Sequence, residues 1–316
     1  MLFNSTEEIR EYIKYNLNFD FNQIEPYLVD VEYELGRKYI GEEMLQRLNG
    51  VINNPTEIQA QTLVFAKRYV ARMAAVAWLP FGEVQFGNDG ITTVGKGEYR
   101  TAAYDAQIAR LTQSLESSAY KALEQLLSWL EKPTTLAAFA EYQNSEQRLE
   151  NRRYLIKNAV EFSKYYQIFG EELTFQALRP TMAAIETMKV AAALGGELYE
   201  VLKAASELTD LQKKLLEAIK WYLAYSTIAS ILELEMSVEL NAGGLRVNFT
   251  TQFQNTKYFT PPSDAQRGSA QQAAARRAQS MWAEVSSLLK ELNPSLESEE
   301  IVSSSPIVEG KSIISL

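Results

Sequence analysis

Apolar residues recur at helical spacing through most of the chain, and twice the pattern changes to strict alternation. Ile9, Ile13 and Leu17 repeat every four residues behind a helix start at Asn4-Ser5-Thr6, with acids following at Glu7 and Glu8. A helix from about Ile24 is predicted to stop near Gly41. "NNPTEIQAQTLVFAKRYVARMAAVAWLP" reads as a long helix that Pro55 opens and Pro80 ends. Val84 and Phe86 then alternate with Glu83 and Gln85. Asn88-Asp89-Gly90 supplies the residues of a tight turn, and Ile91 to Val94 form a return strand. Helical periodicity resumes from about Thr101 to Glu131, where Pro133 ends it, and again from Leu136 to Phe169. A helix broken at Gly195-Gly196, a second long helix, a second hairpin through Gly243-Gly244 and a last helix complete the body. The chain is predicted to be mainly α.

The second half copies the order of the first. Phe21 and Pro26 precede Phe175 and Pro180 by 154 residues, and Lys67 and Tyr69 precede Lys220 and Tyr222 by 153. Val84, Phe86, Gly90 and Ile91 precede Val238, Leu240, Gly244 and Leu245 by 154. A tandem duplicated helical-bundle module follows, each copy with a small β-hairpin insertion. The expected organisation is 1–133 (hairpin 82–95), 134–293 (hairpin 235–253) and an extended docking tail, 294–316. After the second hairpin, Phe253, Tyr258 and Phe259 precede Pro261-Pro262, in a segment that reads as a projecting arm or as a loop over its own core. In the tail, Ser303-Ser304-Ser305 reads as a flexible linker, and β-prone runs contain Ile307, Val308, Ile313, Ile314 and Leu316. Such a segment adds a strand to a partner. Another chain is preferred over its own as that partner.

Composition narrows the chemistry. Apolar residues make up 46% and charged residues 22% of 316, an ordinary globular balance. The chain has no Cys and no His, which removes thiolate nucleophiles, Cys/His zinc sites and imidazole acid–base catalysis. A net charge of −9 argues against a dominant nucleic-acid-binding surface. The N-terminus lacks the apolar core of a signal peptide, and no apolar run is long enough to span a bilayer.

The motif search returns formal matches only. Gly95-Lys96-Gly97 lacks the flanking residues of a P-loop. Ser118-x-x-Lys121 and Ser287-x-x-Lys290 lie on amphipathic helices, where that spacing is common. Glu42-Glu43, Glu171-Glu172 and Glu297 with Glu299-Glu300 lack the spacing of an EF-hand loop and read as solvated faces. Arg148, Arg152, Arg153 and Lys157 are interleaved with acids, as on a salt-bridged helix face. No catalytic, cofactor-binding or metal-binding residue is assigned, and no enzyme activity is expected. The candidate partner contacts are Phe86, Asn88, Asp89, Gly90, Gly243 and Gly244 in the hairpins, Phe253, Tyr258 and Phe259 in the arm, and Ile307, Val308, Ile313, Ile314 and Leu316 in the tail.

The stretches "LPFGEVQFGNDGITT" and "NRRYLIKNAVEFSKYYQIFGEELTFQALRP", with "FAKRYVARMAAVAWLP", carry a family resemblance. The chain resembles the head–tail connector (adaptor) proteins of tailed bacteriophages, and more closely a family found among phages and prophages of Bacteroides-type bacteria. The resemblance implies a structural virion protein, assembled in the host cytoplasm as a homo-oligomeric ring. Its partners would be the portal and tail or tail-completion proteins, and DNA would pass without sequence-specific binding. The tandem doubling departs from the simplest adaptors. Two alternatives remain: a tail terminator or completion protein, and a cellular helical-repeat scaffold that binds a protein partner.

Overall fold

A computed structural model describes residues 1–13, 21–82, 84–87, 90–93, 105–234, 236–241, 243–249 and 262–293. The chain divides into two compact units. Unit 1 comprises Met1–Arg153 with the short segments Glu171–Leu173 and Arg246–Pro261; unit 2 is the remainder.

Unit 1 begins with α1 (Thr6–Tyr12), where the Ser5 hydroxyl caps the Glu8 amide. α2 (Phe21–Leu35) carries Pro26 in its interior and widens into a π-helical turn, Gly36–Ile40. Gly41, at φ 89°, breaks the run, and α3 (Glu42–Gly50) leaves in a new direction. A Cβ on Gly41 would stand 2.8 Å from the Ser145 Cβ, so both the dihedral and the space call for glycine. The long α4 (Glu57–Gly82) follows, then the antiparallel strands β1 (Val84–Gly87) and β2 (Gly90–Thr93), paired Val84 to Thr93 and Gly87 to Gly90. α5 (Asp105–Leu130) packs back along α4. Three short helices complete the unit: α6 (Pro133–Ala138), α7 (Ala140–Gln143) and α8 (Glu146–Asn151). Its core holds Phe3, Ile24, Leu28, Leu35, Tyr69, Val70, Leu123, Leu127 and Phe139, all buried.

Unit 2 repeats the plan: α9 (Ala159–Tyr165), α10 (Glu172–Ile185) with Pro180 inside it, a π-helical turn Glu186–Ala191, and α11 (Ala192–Leu194). Gly195, at φ 73°, makes the break that Gly41 makes in unit 1. α12 (Gly196–Ala204), the long α13 (Asp210–Glu233), β3 (Val238–Asn241), β4 (Gly244–Val247) and α14 (Asp264–Leu292) follow. The fold is mainly α, a tandem of one helical module with a two-stranded hairpin in each copy.

Three sequence expectations change. The first unit runs to Arg153, not 133. Phe139 and Tyr142 are buried in its core, and Glu131 accepts hydrogen bonds from Tyr142 Oη (3.1 Å), Arg148 Nε (3.0 Å) and Arg152. The run from Leu136 to Phe169 is several short helices, with fresh starts where Ser145 and Asn158 cap the amides of Arg148 and Glu161. Pro80 does not end α4; it sits in the last turns, which continue to Gly82.

Candidate functional site

The two copies share a polar framework as well as an order of elements. In unit 1 the Glu32 carboxylate on α2 accepts the Leu2 amide at 2.6 Å. In unit 2, Glu186 accepts the Leu155 amide through both oxygens at 3.1 Å, and the Tyr199 hydroxyl at 2.7 Å. Both glutamates are buried, and burial pushes both carboxyls above the usual range. Glu8 pairs with Lys67 at 3.5 Å while accepting the Asn4 amide; Glu161 pairs with Lys220 at 2.5 Å while accepting the Lys157 amide. Thr56 and Gln59 form a reciprocal capping box at the start of α4, and Thr209 and Gln212 form the same box on α13. Every one of these correspondences falls at an offset of 153 or 154 residues. The carboxylates with raised pKa therefore anchor backbone amides. Among the described residues, no group of three or more carboxylates could hold a metal ion.

The hairpins are present where the alternation placed them. Phe86 stands opposite Ile91 in the first, and Gly90 begins its return strand. Gly243 in the second is exposed at φ 95°, as a tight turn requires. Gly244 contributes to packing within its own unit: a Cβ there would lie 2.7 Å from the Gln167 carbonyl oxygen and the Phe169 ring. The next residue, Leu245, donates its amide to Gln167 O at 3.0 Å. Asn88, Asp89, Phe253, Tyr258, Phe259, Ile307, Val308, Ile313, Ile314 and Leu316 lie outside the described residues.

What differs between the copies is the outer face of the long helix. "KRYVAR" on α4 corresponds to "KWYLAY" on α13, so Arg68 and Arg72 become Trp221 and Tyr225. In unit 1, Arg72 Nη1 donates to Ser118 O at 2.9 Å. In unit 2 the two aromatic rings stack, with centroids 5.9 Å apart and planes 13° from parallel. Tyr165 meets Trp221 edge-on at 5.4 Å, Tyr166 meets Tyr225 edge-on at 5.6 Å, and Arg277 lies 6.0 Å from the Tyr225 ring. This cluster joins two shallow hollows. One, of about 550 Å³, is lined by Lys213, Lys214, Trp221, Arg277, Met281 and Leu288, among others. The other, of about 510 Å³, includes Tyr166, Tyr225, Leu240 and Gly243. Behind the cluster, Lys189 points between Tyr222 (5.1 Å) and Trp282 (4.6 Å), and burial lowers its pKa. The pairs Lys67–Lys220 and Tyr69–Tyr222 were legible as repeats. The signal that would have found Trp221 and Tyr225 lies beside them, as the mismatches in the same six residues.

Fold and sequence together define a tandem-repeat helical protein that keeps one internal framework and varies one half-buried face. The chain belongs to the family of unknown function DUF6712, whose model matches residues 34–152 and 186–297, well over half of the chain. The two matched stretches begin 152 residues apart, which is compatible with a duplicated module. Searches of curated proteins and of solved structures return no match. No helix among the described residues is long and apolar enough to cross a membrane.

Proposed function

We propose that this protein is a structural component of the head–tail interface of a tailed phage, a ring subunit that joins portal to tail without catalysing a reaction. The observation that carries this reading is the duplication with divergence. The two copies hold the same Glu, Lys and Thr framework, while the face built on Arg68 and Arg72 in one copy is built on Trp221 and Tyr225 in the other. Faces that diverge on a constant scaffold suit modules that meet different neighbours in an assembly. The buried carboxylates, ordinarily the first candidates for acid–base work, are each engaged by backbone amides, which supports a binding role over catalysis. The net charge of −9 suits a surface past which DNA moves without sticking. The resemblance of its hairpin and of the stretch around Arg152 to connector proteins supplies the phage context.

Native mass spectrometry and negative-stain images of the purified full chain test the reading. A closed ring of defined copy number is expected. A protein that stays monomeric at tens of micromolar, and that never sediments with virions, overturns it.

A further inference from the structure

The larger hollow of unit 2 extends along α14 to Leu288, four residues before that helix ends. α13 and α14 run antiparallel: Arg267, near the start of α14, donates to the carbonyls of Leu232 (3.2 Å) and Met236 (2.8 Å), and Trp282 meets Tyr222 at 4.7 Å. Lys213 and Lys214 thus lie level with Leu288, about 6 Å along the axis from the last residue of α14, Leu292. The apolar part of the lining is Ala218, Trp221, Met281 and Leu288. The charged part is Lys213, Lys214 and Arg277, with Glu217 and Glu284 as the acids. Glu217 is engaged by the Tyr165 hydroxyl at 3.0 Å.

The sequence beyond Asn293 presents complementary chemistry in the matching order. Pro294 follows a helix whose C-cap, Asn293, has already left the helical region (φ −139°, ψ 89°). Acids come next at Glu297, Glu299 and Glu300, then the apolar pair Ile301-Val302. Allowing three residues, 294–296, for a reversal of direction leaves five residues to Ile301, which span about 17 Å when extended. The distance back along α14 from Leu292 to Met281 is also about 17 Å. On a path of that length the acids would pass the two lysines before the apolar pair reached Trp221 and Met281.

We propose that residues 294–316 fold back onto the α13–α14 groove of their own chain. Glu297, Glu299 and Glu300 lie against Lys213 and Lys214, and Ile301 and Val302 cover Trp221 and Met281. The tether keeps the segment at an effective concentration near the millimolar range, so modest contacts suffice. The inference does not depend on the virion reading, and it assigns the tail to its own chain where sequence reasoning preferred another.

The natural chain has no cysteine, so an introduced pair is the only thiol pair present. The test places Met281→Cys with Val302→Cys in the full-length protein and follows mild oxidation on non-reducing gels, with peptide mapping. Leu234→Cys with Val302→Cys is the control, at the exposed C-cap of α13, at the other end of that helix from Lys213. The expected result is a disulfide within one chain, formed at least tenfold faster than in the control and at a rate independent of protein concentration. Lys213→Glu with Lys214→Glu should slow it severalfold, as should molar salt. Disulfide-linked dimers whose yield rises with concentration would assign the segment to a neighbouring copy and overturn the proposal. A rate no faster than the control overturns it as well. Should Met281→Cys disturb folding by circular dichroism, Leu288→Cys replaces it with the same expectations. Ring formation is scored separately by native mass, so failure here leaves the assembly reading intact, and the reverse holds too.

Discussion

Truncating Glu186 to alanine tests whether the shared framework stabilises the module. Its side chain is fully buried, with both oxygens on the Leu155 amide and one also on the Tyr199 hydroxyl. Alanine leaves the Leu155 amide without its acceptor, a loss of about 1–3 kcal/mol, and removes a charge-assisted bond to Tyr199 of similar size. Relief of the buried charge offsets part of that, so the net loss is about 3 kcal/mol. With a urea slope of about 2 kcal/mol per molar, the midpoint should fall by about 1.5 M in a melt followed by far-UV circular dichroism. Glu186→Gln keeps one acceptor for the amide and should lose less than half as much. The pH dependence gives an independent reading. Burial holds the folded carboxyl above its unfolded value near 4.3, so the folded state binds the extra proton. The contribution is therefore full below the unfolded pKa and is lost as pH rises through the folded one. Glu186→Gln should flatten that decline, and adding Glu32→Gln, shifted the same way, should flatten it further. A loss under about 1 kcal/mol for Glu186→Ala, or equal losses for alanine and glutamine, would refute the reasoning.

Glu131→Ala should destabilise unit 1 by about 3–5 kcal/mol in the same assay, because Arg148 and Arg152 lose a shared, largely buried carboxylate. Gly244→Ala should cost about 2 kcal/mol by driving a methyl into the Gln167 carbonyl and Phe169, whereas Gly268→Ala, with open space inside α14, should stabilise by about 0.5–1 kcal/mol. Thermal melts distinguish the two by sign. Thr209→Ala removes half of the α13 capping box and should cost about 1 kcal/mol, with the matching loss for Thr56→Ala on α4.

Periodicity was a good guide where one face of a long helix had to be buried. α4, α5, α13 and α14 all follow their apolar spacing, and both hairpins follow their alternation and turn glycines. It was a poor guide between Leu136 and Phe169, where the breaks come from local side-chain caps at Ser145 and Asn158 that do not interrupt the apolar pattern. The boundary at 133 rested on a proline, which opens α6 at its first position and separates nothing. The link that holds α8 to unit 1 is the contact of Glu131 with two arginines up to 21 residues away, and spacing alone carries no sign of it. The repeat itself was legible from Lys67, Tyr69, Gly90 and their counterparts. Its polar logic was not, because a glutamate that receives a backbone amide has no sequence signature beyond being a glutamate.

The duplication also has a consequence for dosage. Two modules made as separate chains would have to be expressed in balance, and each would be free to occupy the other's place. Joined by a peptide bond, the arginine-faced and aromatic-faced copies are always produced one to one. Any closed assembly of n chains would then contain 2n modules but only n-fold true symmetry, with equal numbers of the two faces. Selection on one face is thereby separated from selection on the other, while the framework they share stays under a single set of constraints.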